Sequence, residues 1–529
     1  MSALLNKLLD GYARAPELEV TGVEIDSRRV TAGDAFLAVR GIGSHGLQHV
    51  ELALARGASA VVWEPAPGIA EPEDLAVPQI AVANLSKKVG EIAARFHSEP
   101  ARKLFTVGVT GTDGKTSTAY LVAQALDLLG ADCGYLGTIG YGRVNALKEA
   151  SHTTPDAIRL QELFVAFVAD GLKAVAMEVS SHALDQARVS GIGFDVSILT
   201  NITRDHLDYH GTVQAYAAAK KKLFTEYRRG VAVLNRDDAM GTKWADELES
   251  SPTQETVIPA KAGIHAATAH TASAVDSRVR WNGGVLSGVL RYGIEGAAPT
   301  SGQWLIARDL KLSTEGLAFT LDSSFGAAQV QSKLLGRFNV YNLLAALAAL
   351  LAKNVALADA VAVLAKLQTV PGRIEGFKGP KAAPLVVVDY AHTPEALAQI
   401  LKAVRAHCTG KLICVFGCGG DRDRGKRPLM GAAAEQGADI AILTDDNPRS
   451  ESPQAIAAEI VAGLADASSV RVIHDRAEAI RTAIAGAGPD DVVVVAGKGH
   501  ETTQTIGKEV RAFSDRAFVA ALVGLEARA

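Results

Sequence analysis

The chain has 529 residues, enough for about three domains that each bury a core of their own. Its formal net charge of −4 at pH 7 gives no support for non-specific nucleic-acid binding, so local basic clusters have to meet any anionic ligand. Aromatic residues make up only 5%, and the abundance of small aliphatic residues and glycine favours helices packed on parallel sheets over an all-β fold.

The sequence gives no sign of secretion or of a membrane anchor. The first nine residues lack the apolar core and cleavage site of a signal peptide. The most apolar stretch, residues 343–351, ends before Lys353 and is too short to span a bilayer. The few cysteines are far from histidine clusters, which indicates reduced thiols rather than a structural zinc site: Cys133, Cys408, Cys414 and Cys418. We therefore expect a cytoplasmic monomer that binds neither nucleic acid nor membrane.

Short apolar runs, typical of buried parallel strands, divide the chain into three blocks. Residues 1–100 carry such runs at 35–39, 60–63 and 79–82. Residues 101–336 carry them at 105–109, 174–177, 196–199 and 231–234, and residues 337–529 at 385–388, 412–416, 440–443 and 492–496. Helical patterns alternate with these runs, so we predict an α/β protein with doubly wound sheets and ligands at the carboxyl ends of the strands.

One stretch does not follow the alternation. Residues 251–284 are rich in Ala, Thr, Ser and Gly and show no sustained period. We interpret them as a long surface insertion without a catalytic part.

The strongest motif is the glycine-rich stretch at residues 108–118, between the run at 105–109 and a helical pattern at 118–129. A turn of this kind directs backbone N–H groups and a helix N-terminus at a phosphate. Lys115 is placed to reach the β- and γ-phosphates, and the Thr116 hydroxyl to hold Mg²⁺. The spacing is shorter than in the common G-x-x-x-x-G-K-[ST] pattern, but the stretch still predicts ATP binding.

Two polar clusters follow neighbouring runs in the same block. Glu178 lies within residues 177–182, at the end of one run, and His206 lies within residues 200–210, after the next. A single Glu or His is usually structural, but two such clusters beside a phosphate loop favour ligands for Mg²⁺. A helical run at 216–224 carries Lys220, and its spacing alone favours a solvated basic face.

The third block has polar turns after four of its runs, at residues 389–394, 415–428, 445–449 and 497–501. Turns after parallel strands converge on one crevice. The mixture of carboxylates and arginines there suits a zwitterionic ligand such as an amino acid.

Together these motifs resemble the Mur ligases, ATP-dependent enzymes that form amide bonds in peptidoglycan synthesis. The resemblance runs from Asp26 to Glu501, outside 251–284. It implies an N-terminal uridine-nucleotide domain, a central P-loop ATPase domain and a C-terminal Rossmann-like domain. The motifs are most similar to those of members that add meso-diaminopimelate to UDP-N-acetylmuramoyl-L-alanyl-D-glutamate through an acyl phosphate.

The resemblance also implies roles for individual residues. Contacts to the UDP-muramoyl-dipeptide fall on Ile25, Ser27, Ile42, Gly43, Ser44, Thr153, Thr154, Ser180, Gln186 and Arg188. Contacts to ATP fall on Gly111, Thr112, Asp113, Gly114, Lys115, Thr116, Ser117, Asn339, Asn342, Arg373 and Asp389. Contacts to diaminopimelate fall on Arg422, Asp446, Asn447, Pro448, Arg449, Gly497 and Glu501. The catalytic set is Lys115, Glu178, His206 and Lys220, and the Mg²⁺ ligands are Thr116, Glu178, His206 and Lys220 as a carbamate.

Two positions depart from the family pattern, and other functions stay open. Asp113 and His152 stand where Asn is usual, and the first adds negative charge near the phosphates. The chain could instead add lysine, act on folate or another peptide, or serve as a regulatory P-loop ATPase. The turn of Asn447, Pro448 and Arg449 argues against lysine, because a further arginine suits the second carboxylate of diaminopimelate.

Overall fold

The computed structural model describes residues 1–525 except 42, 74, 151, 251–278, 282–283, 287 and 381–382. The chain folds as two compact units. The first comprises Met1–Gly293, Ala298–Leu305 and Ala345–Leu357, and the second Ile294–Ala297, Ile306–Leu344 and Ala358–Ala529. Among the residues so described, no helix combines the length and the apolarity needed to cross a bilayer.

The first unit begins with a parallel four-stranded sheet in the order β3-β4-β5-β6. A short antiparallel pair, β1 and β2, precedes it. The elements are β1 (Ala3–Leu4), α1 (Leu5–Leu8), β2 (Glu19–Val20), β3 (Val23–Glu24), β4 (Ala35–Ala38), α2 (Val50–Ala55), β5 (Ala60–Trp63), β6 (Gln79–Ala81) and α3 (Val89–Phe96). Strands β4 and β5 are buried along their whole length, as expected of central parallel strands.

The larger sheet of the first unit has the order β15-β12-β11-β7-β10-β8-β9, with all strands parallel except β9. The order reverses at β7, which is where ligands bind in open α/β sheets. Its strands are β7 (Phe105–Thr110), β8 (Cys133–Gly137), β9 (Gly140–Gly142), β10 (Ala174–Glu178), β11 (Phe194–Leu199), β12 (Arg228–Asn235) and β15 (Gly288–Ile294). Strands β13 (Val279–Trp281) and β14 (Gly284–Leu286) form a separate antiparallel pair. The helices are α4 (Lys115–Leu128), α5 (Ala157–Ala169), α6 (Ser181–Asp185), α7 (Leu207–His210), α8 (Val213–Thr225) and α9 (Ala239–Ser250).

The rest of the chain supplies three adjacent strands, β16 to β18, and a six-stranded sheet in the order β19-β20-β24-β21-β22-β23. In the latter, β20 to β24 run parallel and β19 is antiparallel. The strands are β16 (Gln303–Ser313), β17 (Gly316–Ser323), β18 (Ala328–Ser332), β19 (Glu375–Lys378), β20 (Leu385–Asp389), β21 (Leu412–Phe416), β22 (Ile440–Leu443), β23 (Val470–Val472), β24 (Val492–Ala496), β25 (Thr503–Ile506) and β26 (Glu509–Ala512). The helices are α10 (Phe338–Ala352), α11 (Leu357–Leu364), α12 (Pro394–Arg405), α13 (Lys426–Gly437), α14 (Pro453–Val461), α15 (Arg476–Ala485) and α16 (Asp515–Leu522). Single 3₁₀ turns occupy Gly46–His49, Leu85–Lys87, Pro100–Lys103 and Ala467–Ser469.

Each apolar run found in the sequence forms a strand. The bounds of β5, β21, β22 and β24 are those expected, and the other strands differ by a few residues at their ends. The insertion predicted at 251–284 is described only at its end. Residues 251–278 lie outside the described residues, and β13 and β14 pair after them. Val279, Trp281 and Val285 favour extended backbone, which accounts for the pair.

A buried ion pair joins α15, α16 and the end of β24. Arg476 donates from Nε to Asp515 Oδ1 at 2.8 Å, from Nη2 to Asp515 Oδ2 at 2.7 Å, and from Nη2 to the Ala496 carbonyl at 3.0 Å. Both side chains are at most 1% exposed, so neither charge can turn to water if the other is removed.

We predict that Asp515→Ala lowers the free energy of unfolding by about 3–5 kcal/mol, because it leaves the Arg476 guanidinium buried and unpaired. The measurement is the urea midpoint followed by circular dichroism. The control is Glu509→Ala, which breaks an exposed pair with Arg511 and should leave the midpoint unchanged. Equal midpoints for the two variants would contradict the prediction.

Candidate functional site

A glycine-rich turn connects β7 to α4 in the first unit. Gly114 caps α4 with φ +80°, in the left-handed region. Gly111 has φ +149°, and a Cβ at that position would lie 1.9 Å from Thr200 Oγ1. Only glycine fits at Gly111, and the turn leaves the first N–H groups of α4 for an external acceptor, which is the geometry of a phosphate site.

The segment after β11 holds this turn in place. Asn201 accepts from the Asp113 N–H at its side-chain oxygen, 2.9 Å away, and from the Thr112 N–H at its carbonyl. Thr200 Oγ1 donates to the Asp113 carbonyl at 2.6 Å. Asp113 takes part through its backbone, so the carboxylate that departs from the family pattern has no role in these contacts. Sequence reasoning missed both Thr200 and Asn201, although their position at a strand end was a signal.

Two lysines converge on the turn. Lys115 Nζ donates to the carbonyls of Gly111, at 2.9 Å, and Thr112, at 2.6 Å. Lys220 on α8 is 1% exposed, and its Nζ donates to the same Gly111 carbonyl at 2.7 Å. Burial, and then the neighbouring Lys115, hold the pKa of Lys220 well below its ordinary value. Lys220 therefore does not belong to a solvated basic face, and burial disfavours the charged form of its amine.

Glu178, at the end of β10, is fully buried beside the start of α4. Thr116 Oγ1 donates to its Oε2 at 2.8 Å, and the Thr138 N–H donates to its Oε1 at 2.7 Å. The Tyr135 hydroxyl also donates to Oε1. The sequence therefore identified Thr116 and Glu178 as neighbours, but it did not identify Tyr135 or Thr138, which lie on and after another strand.

His206 lies in a cluster of rings. It precedes α7 with φ +50°, and its ring centroid is 4.8 Å from that of His182 and 6.1 Å from that of Tyr216. The Tyr216 hydroxyl is 3.1 Å from Thr112 Oγ1, which connects the rings to the glycine-rich turn. Within the described ranges, no three His, Cys, Asp or Glu side chains are grouped so that they could hold a metal ion by themselves.

Four residues assigned to the muramoyl-dipeptide form one hydrogen-bond network behind Glu178. Thr154 Oγ1 donates to the Glu178 carbonyl at 2.8 Å and accepts from the Ser180 N–H at 3.2 Å. Arg188 donates to the Thr154 carbonyl at 2.9 Å and to Gln186 Oε1 at 2.9 and 2.7 Å. Burial lowers the pKa of the Arg188 guanidinium.

Thr153, a fifth residue assigned to the muramoyl-dipeptide, lies near the Glu178 carboxylate rather than in that network. Its Oγ1 is 3.1 Å from that of Thr138, which also bonds to Glu178. The structure thus brings all five of these candidates to the end of β10.

The uridine-nucleotide candidates lie at the carboxyl ends of two adjacent parallel strands. Ile25 and Ser27 follow β3, and Gly43 and Ser44 follow β4, whereas Ile42 lies outside the described residues. The Glu24 carboxylate shapes the first turn by accepting from the Ile25 N–H at 2.9 Å and the Asp26 N–H at 3.0 Å. No contact in the described chain ties the two turns to each other through their side chains.

In the second unit, the turns after β22 and β24 meet. Asn447 Nδ2 donates to Glu501 Oε2 at 3.0 Å. Gly497 has φ +118°, and a Cβ there would lie 2.7 Å from Asp446 Oδ2. Burial raises the pKa of the Asp446 carboxyl, against the effect of Arg476 and Lys498.

Arg449 follows Asn447 in the same turn after β22. It has φ +52°, and its Nη1 donates to the Gly420 carbonyl at 2.8 Å. Two carboxylates near Arg449 in the sequence pair elsewhere: Asp445 pairs with His474, and Glu451 pairs with Arg427. Over the described residues, Arg449 has no ion pair.

Two of the remaining candidates, Arg422 and Asp389, adjoin this group. A Cβ at Gly419 would lie 2.8 Å from Arg449 Nη1 and 3.8 Å from Arg422 Cγ, and the Gly497 N–H donates to the Asp389 carbonyl at 3.1 Å. Arg422 is exposed and donates to the Asp421 carbonyl at 3.1 Å. Asn339 and Asn342 bond to each other at 2.8 Å. Asp389 accepts from the Ile374 and Ala391 N–H groups, each at 2.7 Å, and burial raises the pKa of its carboxyl.

These units define a nucleotide-binding α/β protein, with a phosphate turn on one sheet and a charged cluster on another. Family models match almost the whole chain: "Mur ligase family, catalytic domain" at residues 19–97, "Mur ligase middle domain" at 109–282 and 277–350, and "Mur ligase, glutamate ligase domain" at 372–499. The chain belongs to the Mur ligase family and has its three-domain α/β architecture.

Curated relatives cover nearly the full length. A protein of Xanthomonas campestris pv. campestris is 46% identical over 98% of this chain and 96% of its own, and one of Pseudomonas aeruginosa is 44% identical over 97% of both. Both are named UDP-N-acetylmuramoyl-L-alanyl-D-glutamate–2,6-diaminopimelate ligase.

Solved structures agree with the family. One of a ligase with the same name is 34% identical, covers 99% of both chains and has a TM-score of 0.76. A MurF structure from Acinetobacter baumannii, 18% identical with a TM-score of 0.55 and covering 94% of this chain and 95% of its own, shares the fold.

Proposed function

We propose that this protein is an ATP-dependent ligase that joins meso-diaminopimelate to UDP-N-acetylmuramoyl-L-alanyl-D-glutamate in peptidoglycan synthesis. The observation that carries the proposal is the identity of 46% over 98% of the chain with a relative of that name. The domains we assign are residues 1–100 for the uridine nucleotide, 101–336 for ATP and 337–529 for the amino acid. Its substrates are then small molecules, with ATP as co-substrate.

The second unit supports an amino acid with two carboxylates. Arg449 has no ion pair within the described chain, so its guanidinium can bind a ligand carboxylate with two parallel hydrogen bonds. Lysine lacks the second carboxylate and could not use this contact. Asn447 in the same turn donates a hydrogen bond to Glu501, and the Glu501 carboxylate suits a ligand ammonium.

The first unit supports acyl transfer through phosphate. A free carboxylate is a poor electrophile, so the D-glutamyl carboxylate attacks the γ-phosphorus of ATP, ADP leaves, and an acyl phosphate forms. The amine of diaminopimelate then attacks the acyl carbon, phosphate leaves, and the nitrogen loses a proton to give the amide. Lys115, held by the Gly111 and Thr112 carbonyls, offsets the charge on the phosphoryl oxygens during the first step.

The donors around Glu178 fit Mg²⁺. They are oxygen ligands, and Thr116 and Glu178 already lie 2.8 Å apart. With few protein ligands in reach, phosphate oxygens would complete the coordination, as is usual for Mg²⁺. Thr116, Glu178, His206 and a carbamate on Lys220 would hold the ions, which when bound neutralise charge on the phosphates.

Lys220 fits carbamate formation. The neutral amine forms an N–C bond to CO₂ and releases one proton, which leaves a carboxylate attached to Nζ. Burial lowers the pKa of Lys220 and so favours the neutral amine, and the product places an anion near Lys115.

The function is tested by ADP release. We predict that turnover requires the UDP-muramoyl-dipeptide and diaminopimelate together, and that lysine replaces diaminopimelate poorly. A coupled ADP assay with each substrate omitted in turn measures this. ADP release without the amino acid would instead indicate a regulatory ATPase, and equal rates with lysine would assign a lysine-adding enzyme.

We predict that Lys220→Ala loses nearly all turnover while the protein stays folded, because the carbamate is lost. Lys222→Ala is the matched control, since Lys222 pairs with Asp185 near the surface and should change the rate little. Turnover is measured with saturating substrates, and circular dichroism verifies the fold. Near wild-type activity of Lys220→Ala would exclude the carbamate.

We predict that Arg449→Ala lowers kcat/KM for diaminopimelate by about two orders of magnitude or more, since each hydrogen bond to a charged group contributes about 1.5–3 kcal/mol. The KM values for ATP and the nucleotide-peptide should stay near those of the wild type. Arg511→Ala, an exposed arginine on the adjacent hairpin, is the control. A loss of less than tenfold would transfer the assignment to Arg422.

A further inference from the structure

Lys498 is a fully buried cation in the amino-acid region of the second unit. Its side chain is 0% exposed, and its Nζ donates to Asn447 Oδ1 at 3.2 Å and to Glu501 Oε2 at 2.8 Å. A lysine so deeply buried is rare unless it is paired. Both of its partners are residues that we propose to contact diaminopimelate, whereas Lys498 itself has no exposed surface with which to touch a ligand.

The three side chains form a closed triangle. Asn447 Nδ2 donates to Glu501 Oε2 at 3.0 Å, so Lys498 and Asn447 use the same carboxylate oxygen. The Thr505 N–H donates to Asn447 Oδ1 at 2.9 Å, which fixes the orientation of the amide. In the described chain the other oxygen of Glu501, Oε1, accepts no hydrogen bond, and the Glu501 side chain is 32% exposed. One oxygen is therefore held by two donors, and the other has no hydrogen-bond partner among the described residues.

The two carboxylates of this region differ in their surroundings. Burial raises the pKa of the Asp446 carboxyl, against the effect of Arg476 and Lys498. Burial also raises the pKa of Glu501, but the hydrogen bonds from Lys498 and Asn447 and the charges of Lys498 and His500 outweigh it, so the net pKa is lowered. Glu501 is therefore the partly exposed carboxylate that suits a ligand ammonium.

We propose that Lys498 is a positioning residue for amino-acid binding. It holds Glu501 ionised and fixes one of its oxygens, so that the other is presented to an ammonium group of diaminopimelate. It does so without touching the ligand. The inference rests on the proposed function and adds to it a residue that acts on the amino-acid site alone.

The test is Lys498→Met, which keeps the length of the side chain and removes its charge. We expect KM for diaminopimelate to rise about tenfold to a hundredfold, the range for losing a hydrogen bond to a charged group. The KM values for ATP and the UDP-muramoyl-dipeptide should change less than about threefold. Lys508→Met removes the same charge from an exposed position on the adjacent hairpin and should leave all three values unchanged. A purely structural role would lower the activity without this split between substrates.

A double-mutant cycle identifies the residue through which Lys498 acts. If it acts through Glu501, the variant with both Lys498→Met and Glu501→Gln should have a KM for diaminopimelate within about threefold of Glu501→Gln alone, since coupled residues are not additive. This variant has no unpaired carboxylate in the triangle, so it also serves if Lys498→Met alone does not fold. If the effects of the two substitutions on KM for diaminopimelate multiply, or if only kcat changes, the proposal is overturned.

The wild-type assay distinguishes a failure of the proposed function from a failure of the inference about Lys498. If the wild type releases no ADP with diaminopimelate, the proposed function fails and the inference fails with it. If the wild type is active with diaminopimelate and Lys498→Met keeps the wild-type KM for it, the inference alone fails.

Discussion

The carbonyl of Gly111 accepts hydrogen bonds from two lysines, and the phosphate turn depends on this arrangement. Lys115 Nζ lies 2.9 Å and Lys220 Nζ 2.7 Å from the same oxygen. Two ammonium groups bonded to one oxygen atom repel each other strongly, and more so where water is excluded. Burial lowers the pKa of both amines, and the charge of Lys115 lowers that of Lys220 further. Gly111 is the residue whose backbone carbonyl brings the two amines together.

The second unit brings charges of both signs together. Glu501 is a partly exposed carboxylate bonded to the buried Lys498, and Arg449 has no ion pair among the described residues. Desolvating an unpaired charge is costly, so such groups favour a ligand of complementary charge. The proposed amino-acid ligand has this complementarity, because its ammonium suits the Glu501 carboxylate and its carboxylate suits the Arg449 guanidinium.

The sequence predicted the parallel strands and the turns after them, because buried strands are short apolar runs and phosphate turns need glycine. It also identified Thr116 with Glu178, and Asn447 with Glu501. It did not identify Asn201, Tyr135 or Lys498, whose importance comes from contacts across strands far apart in the chain. A local pattern holds no information on such contacts. Strands β16 to β18 were also missed, although the alternating burial of β17 reflects a period-two pattern in its sequence.

Asp113 shows why the phosphate turn tolerates a departure from the family pattern. The contacts that shape the turn at this position use the Asp113 N–H and carbonyl, which any residue supplies. Its carboxylate is exposed, so water and salt screen its repulsion of phosphate. A carboxylate at the half-buried positions of Thr112 or Thr116 would be screened less. At this turn the backbone therefore requires glycine at Gly111, whereas the exposed position of Asp113 accommodates an acidic side chain.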